Sequence, residues 1–123
     1  MAAFIDRQEI SFIIDFLVAE WGSYYAGWGT GSGQVDGDTT LANEAATPRV
    51  ETTPSQGTTN FTGDTYRHTV TLVADADLAI SEVGFFYTPT GTASPGLQIY
   101  GDFDPINVAT GDAITFQVNI VFS

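Results

Sequence analysis

The chain has 123 residues, of which 15 are acidic and three are arginine, with no lysine, so its formal net charge at pH 7 is −12. Such a charge argues against binding to the phosphate backbone of a nucleic acid and favours partners that are cationic or carry metal ions. Because the chain contains no cysteine, disulfides and cysteine-based metal sites are excluded. The length predicts a single domain over residues 1–123, large enough to bury one core.

The first predicted element is a helix over Arg7–Trp21, preceded by an extended arm at residues 1–5. Asp6 and Glu9 have the spacing of a capping box, and Gly22 is a natural helix end. The residues at helical spacing on the core-facing side are Ile10, Ile13, Ile14, Leu17 and Trp21. The helix is therefore predicted to place one apolar stripe against the rest of the domain.

Phe12 and Phe16 form an i, i+4 pair that lies away from this stripe. They fit either a wide core-facing stripe or a second face of the helix for a neighbouring subunit. The only apolar run near the start of the sequence is flanked by Asp6 and Asp15. It is too short and too charged for a signal peptide or a membrane span, so we expect no membrane partner.

Residues 22–123 are predicted to form an antiparallel β-sandwich, so the fold class is mainly β, with the N-terminal arm and one α-helix confined to residues 1–21. A polar and acidic surface loop over Gln34–Thr47 has Leu41 as its apolar anchor, and Pro54–Thr59 is rich in turn residues. The predicted strands are Ser23–Trp28, Arg49–Thr53, Thr65–Ala74, Ala79–Tyr87, Leu97–Phe103 and Ala113–Phe122.

The strand over Ala79–Tyr87 is apolar on both faces, which is typical of a central strand. Gly84 indicates that another segment packs closely over its backbone. Glu82 would be a buried carboxylate, and such a group needs a partner or becomes protonated. Arg49 lies among apolar and small residues, so we expect a structural pair between Arg49 and Glu82. The alternative is that Glu82 lies near the sheet margin and reaches water.

The residues that could carry chemistry form no recognisable catalytic pattern. The glycine run Gly27–Gly33 lacks the ending of a phosphate-binding loop and is expected to be a turn with positive φ. His68, the only histidine, shares a strand face with Tyr66 and is expected to be packed or half-exposed rather than catalytic. Oxygen ligands for calcium could come from three Asp-x-Asp pairs, although turn residues explain each pair locally: Asp36/Asp38, Asp75/Asp77 and Asp102/Asp104. A small acid–base hydrolase with two carboxylates is the remaining enzymatic alternative.

Several segments follow one another in a characteristic order along the chain. After the N-terminal helix come Trp28-Gly29-Thr30-Gly31, Thr39-Thr40-Leu41-Ala42-Asn43-Glu44, Arg49, Ser81–Phe86, Asp102-Phe103-Asp104-Pro105-Ile106 and a last strand opened by Gly111-Asp112. In this order, over nearly the whole chain, they resemble a family of small tailed-bacteriophage virion proteins, labelled head decoration, cement or tail-fibre proteins. The resemblance implies a non-enzymatic structural role, with no catalytic, metal-binding or cofactor-binding residues.

From this resemblance we expect a capsid decoration or cement protein, which stabilises the phage head by bridging subunits of the major capsid protein on the outer surface of the capsid. Closed symmetry at the shell favours a homotrimer, and no nucleic acid is expected as a partner. The alternative is a tail-fibre or baseplate module that binds a host receptor or glycan through exposed aromatic residues such as Tyr24, Tyr25 and Trp28. The candidate partner-binding residues are Phe12, Phe16, Tyr24, Tyr25 and Trp28.

Overall fold

The computed structural model describes residues 6–21, 23–91 and 96–122. Within these residues the fold is mainly β and sandwich-like, with two antiparallel sheets and one N-terminal helix, which confirms the predicted fold class. The elements are α1 (Arg7–Phe16), continued by a π-helical turn (Leu17–Trp21), and the strands β1 (Tyr25–Gly29), β2 (Val50–Glu51), β3 (Thr53–Gly57), β4 (Thr65–Val73), β5 (Leu78–Phe86), β6 (Leu97–Val108) and β7 (Ala113–Val121). The predicted arm at residues 1–5 and the predicted helix end at Gly22 lie outside the described residues.

The helix begins where the sequence predicts, because Asp6 caps it: its Oδ1 accepts a hydrogen bond from the backbone N–H of Gln8 at 2.9 Å. Ile10 and Ile14 are buried on the inner side of α1. The last five residues of the predicted helix form the π-helical turn, and the side chain of Trp21 lies outside the described part of the chain. Among the described residues, no helix has the length and apolar character that crossing a membrane requires.

The first sheet has the strand order β2-β1-β5-β6, and the second has the order β3-β4-β7. β5 is central, as predicted, because it pairs antiparallel with β1 on one side and with β6 on the other. Every residue from Ile80 to Phe86 is buried, so both faces of this strand are covered.

Two segments that the sequence predicted as turn or connection are strands. β3 occupies most of the turn-rich segment Pro54–Thr59, and β6 continues beyond Phe103 through Pro105 to Val108. Both are edge strands of their sheets. An edge strand tolerates a proline, because one side of its backbone makes no ladder hydrogen bonds.

The chain divides into two compact units, one comprising Met1–Ser23, Thr53–Thr69 and Gln117–Ser123, the other comprising Tyr24–Thr52 and Val70–Phe116. The buried apolar residues described in the first unit are Ile10, Ile14 and Tyr66. Those described in the second unit are Tyr24, Ala26, Trp28, Leu41, Val70, Leu72, Ala74, Ile80, Val83, Phe85, Phe86 and Val108. The interpretation of residues 1–123 as a single domain stays a prediction.

Candidate functional site

Glu82 lies in the middle of β5 with no exposed surface, and backbone amides bind its carboxylate. Oε2 accepts hydrogen bonds from the N–H groups of Gly31 and Asn43 at 2.9 and 2.8 Å, and Oε1 accepts one from Ala42 at 3.0 Å. These three donors replace much of the water that a buried carboxylate loses. Glu82 therefore holds the loop after β1 and the segment before Glu44 against the central strand.

Arg49 is also enclosed, with 5% of its side chain exposed, and its partner is Glu44. Nε and Nη2 donate to the two carboxylate oxygens of Glu44, each at 2.8 Å, in the bidentate geometry that a guanidinium favours. Nη1 donates to the carbonyl oxygens of Thr88 and Gly91 at 3.2 and 2.9 Å. The guanidinium also lies 3.4 Å from the ring centroid of Phe86. A carboxylate, two carbonyl oxygens and an aromatic face therefore stabilise its positive charge.

The predicted pair between Arg49 and Glu82 is therefore wrong. Glu44 and two backbone carbonyls use all three guanidinium nitrogens of Arg49. Both carboxylate oxygens of Glu82 accept from backbone N–H groups instead. The predictions that Glu82 is buried in a central strand and that Arg49 is drawn inward are confirmed, which excludes the alternative of a solvated Glu82.

The glycine run at the end of β1 leaves space for these contacts. A Cβ atom at Gly31 would lie 2.9 Å from the backbone nitrogen of Asn43, and one at Gly29 would overlap the carbonyl oxygen of Asn43. A Cβ atom at Gly27 would lie 2.6 Å from the carboxylate that binds the buried arginine. Within this run Gly33 has a positive φ, at 86°. The predicted turn conformation is thus right for Gly33 and wrong for the three others, where close approach excludes a side chain.

The acidic loop that the sequence predicted on the surface is packed in part against the first sheet. Leu41 is its buried anchor, as predicted, with 4% of its surface exposed. A Cβ atom at Gly84 would come within 2.7 Å of Leu41 Cδ2, which confirms the close packing predicted over Gly84. Further along the loop, the N–H of Ala45 donates to the carbonyl of Trp28 at 2.9 Å. The loop is therefore fixed by both apolar and polar contacts.

The five aromatic residues predicted to bind a partner divide into a covered and an exposed group. Trp28 and Tyr24 are buried, with 1% and 8% of their surface exposed, and Tyr25 is half-buried. Trp28 packs edge-on against a phenylalanine of β7, with the ring centroids 6.5 Å apart. The prediction that Tyr24 and Trp28 are exposed is therefore wrong, because both side chains belong to the core. Phe12 and Phe16 have exposed fractions of 70% and 55%, which excludes the interpretation that they belong to a core-facing stripe.

Phe12 and Phe16 lie within an acidic surface, which we call the outer helix face. It consists of the exposed residues Glu9, Phe12, Asp15, Phe16 and Glu20. Glu9 precedes Phe12 by three residues within α1, so helical spacing places its carboxylate beside that ring. Glu20 lies in the π-helical turn that follows Phe16. The outer helix face is therefore both apolar and negatively charged.

Two buried titratable groups of the first unit have shifted pKa values. His68 has no exposed surface, and its ring lies edge-on to Tyr66 with 4.7 Å between centroids, which confirms that it is packed. Burial lowers the pKa of His68 to about 4. Burial raises the pKa of Asp64, but hydrogen bonds from the N–H groups of the preceding loop, Thr59 among them, and from the hydroxyl of Thr65 outweigh it and lower the pKa to about 2. Neither side chain is exposed to a dissolved substrate.

The Asp-x-Asp pairs contribute to loop structure. Asp38, Asp75 and Asp102 each accept a hydrogen bond from a loop residue, at 2.8, 2.8 and 3.2 Å. In the described part of the chain, no three His, Cys, Asp or Glu side chains form a group that could hold a metal ion. Comparison of the chain with protein-family models, curated proteins and solved structures gave no match.

Proposed function

We propose that this protein is a non-enzymatic structural protein of a tailed-phage virion, which decorates the outer surface of the capsid and stabilises the head by bridging subunits of the major capsid protein. The observation that carries this proposal is the exposure of two neighbouring phenylalanines, Phe12 at 70% and Phe16 at 55%. They lie on a helix whose opposite side is already buried. Adjacent exposed rings of this kind are typical of a protein–protein contact surface.

The action we propose is mechanical: contacts that span adjacent capsid subunits oppose expansion of the shell. A protein that resists mechanical load needs loops that are held rigidly. In the second unit, the carboxylate of Glu82 and the guanidinium of Arg49 provide this rigidity, because each fixes a loop to the sheet through several hydrogen bonds. These contacts support a scaffold role for the second unit and leave the outer helix face for attachment.

Reconstitution of capsids tests the proposal. Shells of the phage that encodes this protein, assembled without it and then mixed with it, are expected to show added density at many symmetry-related positions by electron cryomicroscopy. The double substitution Phe12→Ser with Phe16→Ser is expected to abolish this density. The matched control is Val73→Ser, which changes an apolar residue of β4 with a similar exposed fraction, 52%, and should bind like the parent protein.

The location of the density decides between this proposal and its alternative. Density at the tail alone would support a receptor-binding or glycan-binding module, and absence from both head and tail would overturn a virion role. Tyr24 and Trp28 are buried, so neither has an exposed ring that could bind a receptor or glycan.

We further propose that the protein forms a homotrimer through a surface other than the outer helix face. Sedimentation that shows only monomer at micromolar and higher concentrations would contradict the trimer without affecting attachment.

A further inference from the structure

We infer that the outer helix face docks into a basic, apolar groove of a different protein rather than pairing with a second copy of this chain. The setting on a capsid shell rests on the proposed function, whereas the chemistry of the partner follows from the charges of this chain. Both the charge and the apolar residues of the helix contribute to this choice of partner.

The exposed surface of the helix is strongly acidic. Its exposed carboxylates belong to Asp6, Glu9, Asp15 and Glu20. The single cation among the described helix residues is Arg7, whose guanidinium lies 4.9 Å from the ring centroid of Phe61. Four carboxylates against one guanidinium leave the helix surface with a clear negative potential, so a partner that covers it must bring positive charge.

A second copy of this chain brings little positive charge, because its formal net charge is −12. The sequence contains no lysine and three arginines. Arg49 is enclosed and bound to Glu44, and Arg67 is half-buried and donates to Asn119 at 2.7 Å. Arg7 belongs to the acidic helix itself. A symmetric dimer through this face would also set like carboxylates against each other.

The apolar part of the face indicates the shape of the partner surface. Phe12 and Phe16 are one helical turn apart on the same side of α1, which is the spacing of anchor residues in helix-in-groove recognition. In such contacts the buried rings provide most of the affinity, whereas charges at the rim change the association rate and the salt dependence. A groove lined with apolar side chains and bordered by Lys or Arg satisfies both conditions.

Two amphipathic helical peptides serve as probes. One is built of Leu, Ala and Lys, and the other carries Glu in place of every Lys. The full-length protein is titrated with each labelled peptide by fluorescence anisotropy, and the binding surface is located by NMR chemical-shift changes. The Lys peptide is expected to bind with shifts concentrated at α1, and to bind about tenfold more weakly at high salt than at low salt. The Glu peptide is expected not to bind.

Surface variants separate the two contributions. Phe12→Ser with Phe16→Ser is expected to abolish binding of the Lys peptide at every salt concentration. The charge variant combines Glu9→Gln, Asp15→Asn and Glu20→Gln, and is expected to weaken binding about tenfold and to flatten the salt dependence. Circular dichroism verifies that each variant keeps the parent fold.

Control variants measure attraction to the acidic chain as a whole. Glu51→Gln, Asp77→Asn and Asp104→Asn together remove three exposed charges outside the helix, and are expected to weaken binding by less than about twofold. Arg7→Gln removes the one cation among the described helix residues and is expected to strengthen binding of the Lys peptide. An equal loss in the control triple variant and in the helix charge variant would overturn the inference.

Three further outcomes decide the remaining points. Self-association that disappears in the Phe12→Ser, Phe16→Ser protein would identify a second copy as the occupant and would overturn the inference. Normal peptide binding at α1 without any binding to shells would refute the proposed function and leave the partner chemistry intact. Shell decoration that persists in the double phenylalanine variant, with peptide shifts outside α1, would refute the inference and leave decoration intact.

Discussion

The substitution Glu82→Gln tests whether backbone amides hold the buried carboxylate in place. The two side chains have nearly the same shape, so the change in the free energy of unfolding comes mainly from hydrogen bonding. When the amide oxygen of Gln takes the place of Oε2, it keeps the bonds from Gly31 and Asn43. The amide NH2 group then faces the N–H of Ala42, so that two donors oppose each other.

The size of the effect follows from these three contacts. A hydrogen bond to a charged group contributes about 1.5–3 kcal/mol and a neutral one about 0.5–1.5 kcal/mol, so the two retained bonds lose about 2 kcal/mol together. The opposed donor of Ala42 costs about 1–3 kcal/mol. Because Gln need not be desolvated as an ion, part of this loss is offset. We expect the free energy of unfolding to fall by about 2–4 kcal/mol and the melting temperature by about 10 °C.

Denaturant and thermal unfolding, followed by circular dichroism, measure this loss. Glu51→Gln is the matched control, because it makes the same chemical change at an exposed position of β2, and it should unfold like the parent protein. The double substitution Glu82→Leu with Arg49→Met should be no more stable than either single one, because the two residues have separate partners. A melting temperature of Glu82→Gln within one or two degrees of the parent, or a rescue in the double variant, would refute this account of the cluster.

Two other properties of the fold can be measured. Gly29→Ala places a methyl group on the carbonyl oxygen of Asn43 in the adjoining loop and should lower the free energy of unfolding by about 2 kcal/mol or more, as measured by denaturant titration. Gly101→Ala is the control, because its Cβ atom would meet Val83 at the ordinary contact distance of 3.9 Å. It should change the free energy of unfolding by less than about 0.5 kcal/mol in the same titration. Because burial lowers the pKa of His68 from 6.5 to about 4, the unfolded chain binds a proton before the folded protein does. The free energy of unfolding should therefore fall as the pH falls from 6.5 to 4, by at most about 1.4 kcal/mol per pH unit, and His68→Phe should remove this contribution. Parallel curves of melting temperature against pH for parent and variant would contradict the pKa shift.

The parts of the fold that the sequence predicts well are those in which burial has a local period. The central strand at Ala79–Tyr87 is apolar on both faces, and Thr65–Ala74 alternates between buried and more exposed residues. The cap at Asp6 is local as well. By contrast, β3 and the second half of β6 each contain a proline, a residue that predicts a turn. Their strand conformation depends on pairing with residues distant in the sequence.

The partners of Glu82 could not be predicted by matching charges, because backbone N–H groups occur at almost every residue and leave no mark in the sequence. A different signal was present. Gly27, Gly29 and Gly31 are spaced by two, so in an extended segment they share one face. Three glycines on one face indicate that another segment approaches closely there, and the segment that approaches Gly29 and Gly31 carries two of the three donors, the N–H groups of Ala42 and Asn43. The prediction chooses the wrong acid for Arg49 because it matches this arginine to the buried carboxylate, whereas Glu44, five residues before it, binds the guanidinium.

The positions of the three arginines determine how this acidic chain can interact. Arg49 neutralises a carboxylate inside the second unit. Arg67 keeps its charge but is half-buried and held by the neutral Asn119 in the first unit, so the chain has little positive charge to offer a second copy. Exposed rings such as Phe12 and Phe16 would normally favour self-association. On this helix, however, each approach of a second copy brings carboxylates together, whereas a basic partner is attracted before the rings make contact. Under the proposed function, this negative charge opposes contact between copies through the outer helix face, leaves that face open in the homotrimer, and attracts a basic surface of the shell.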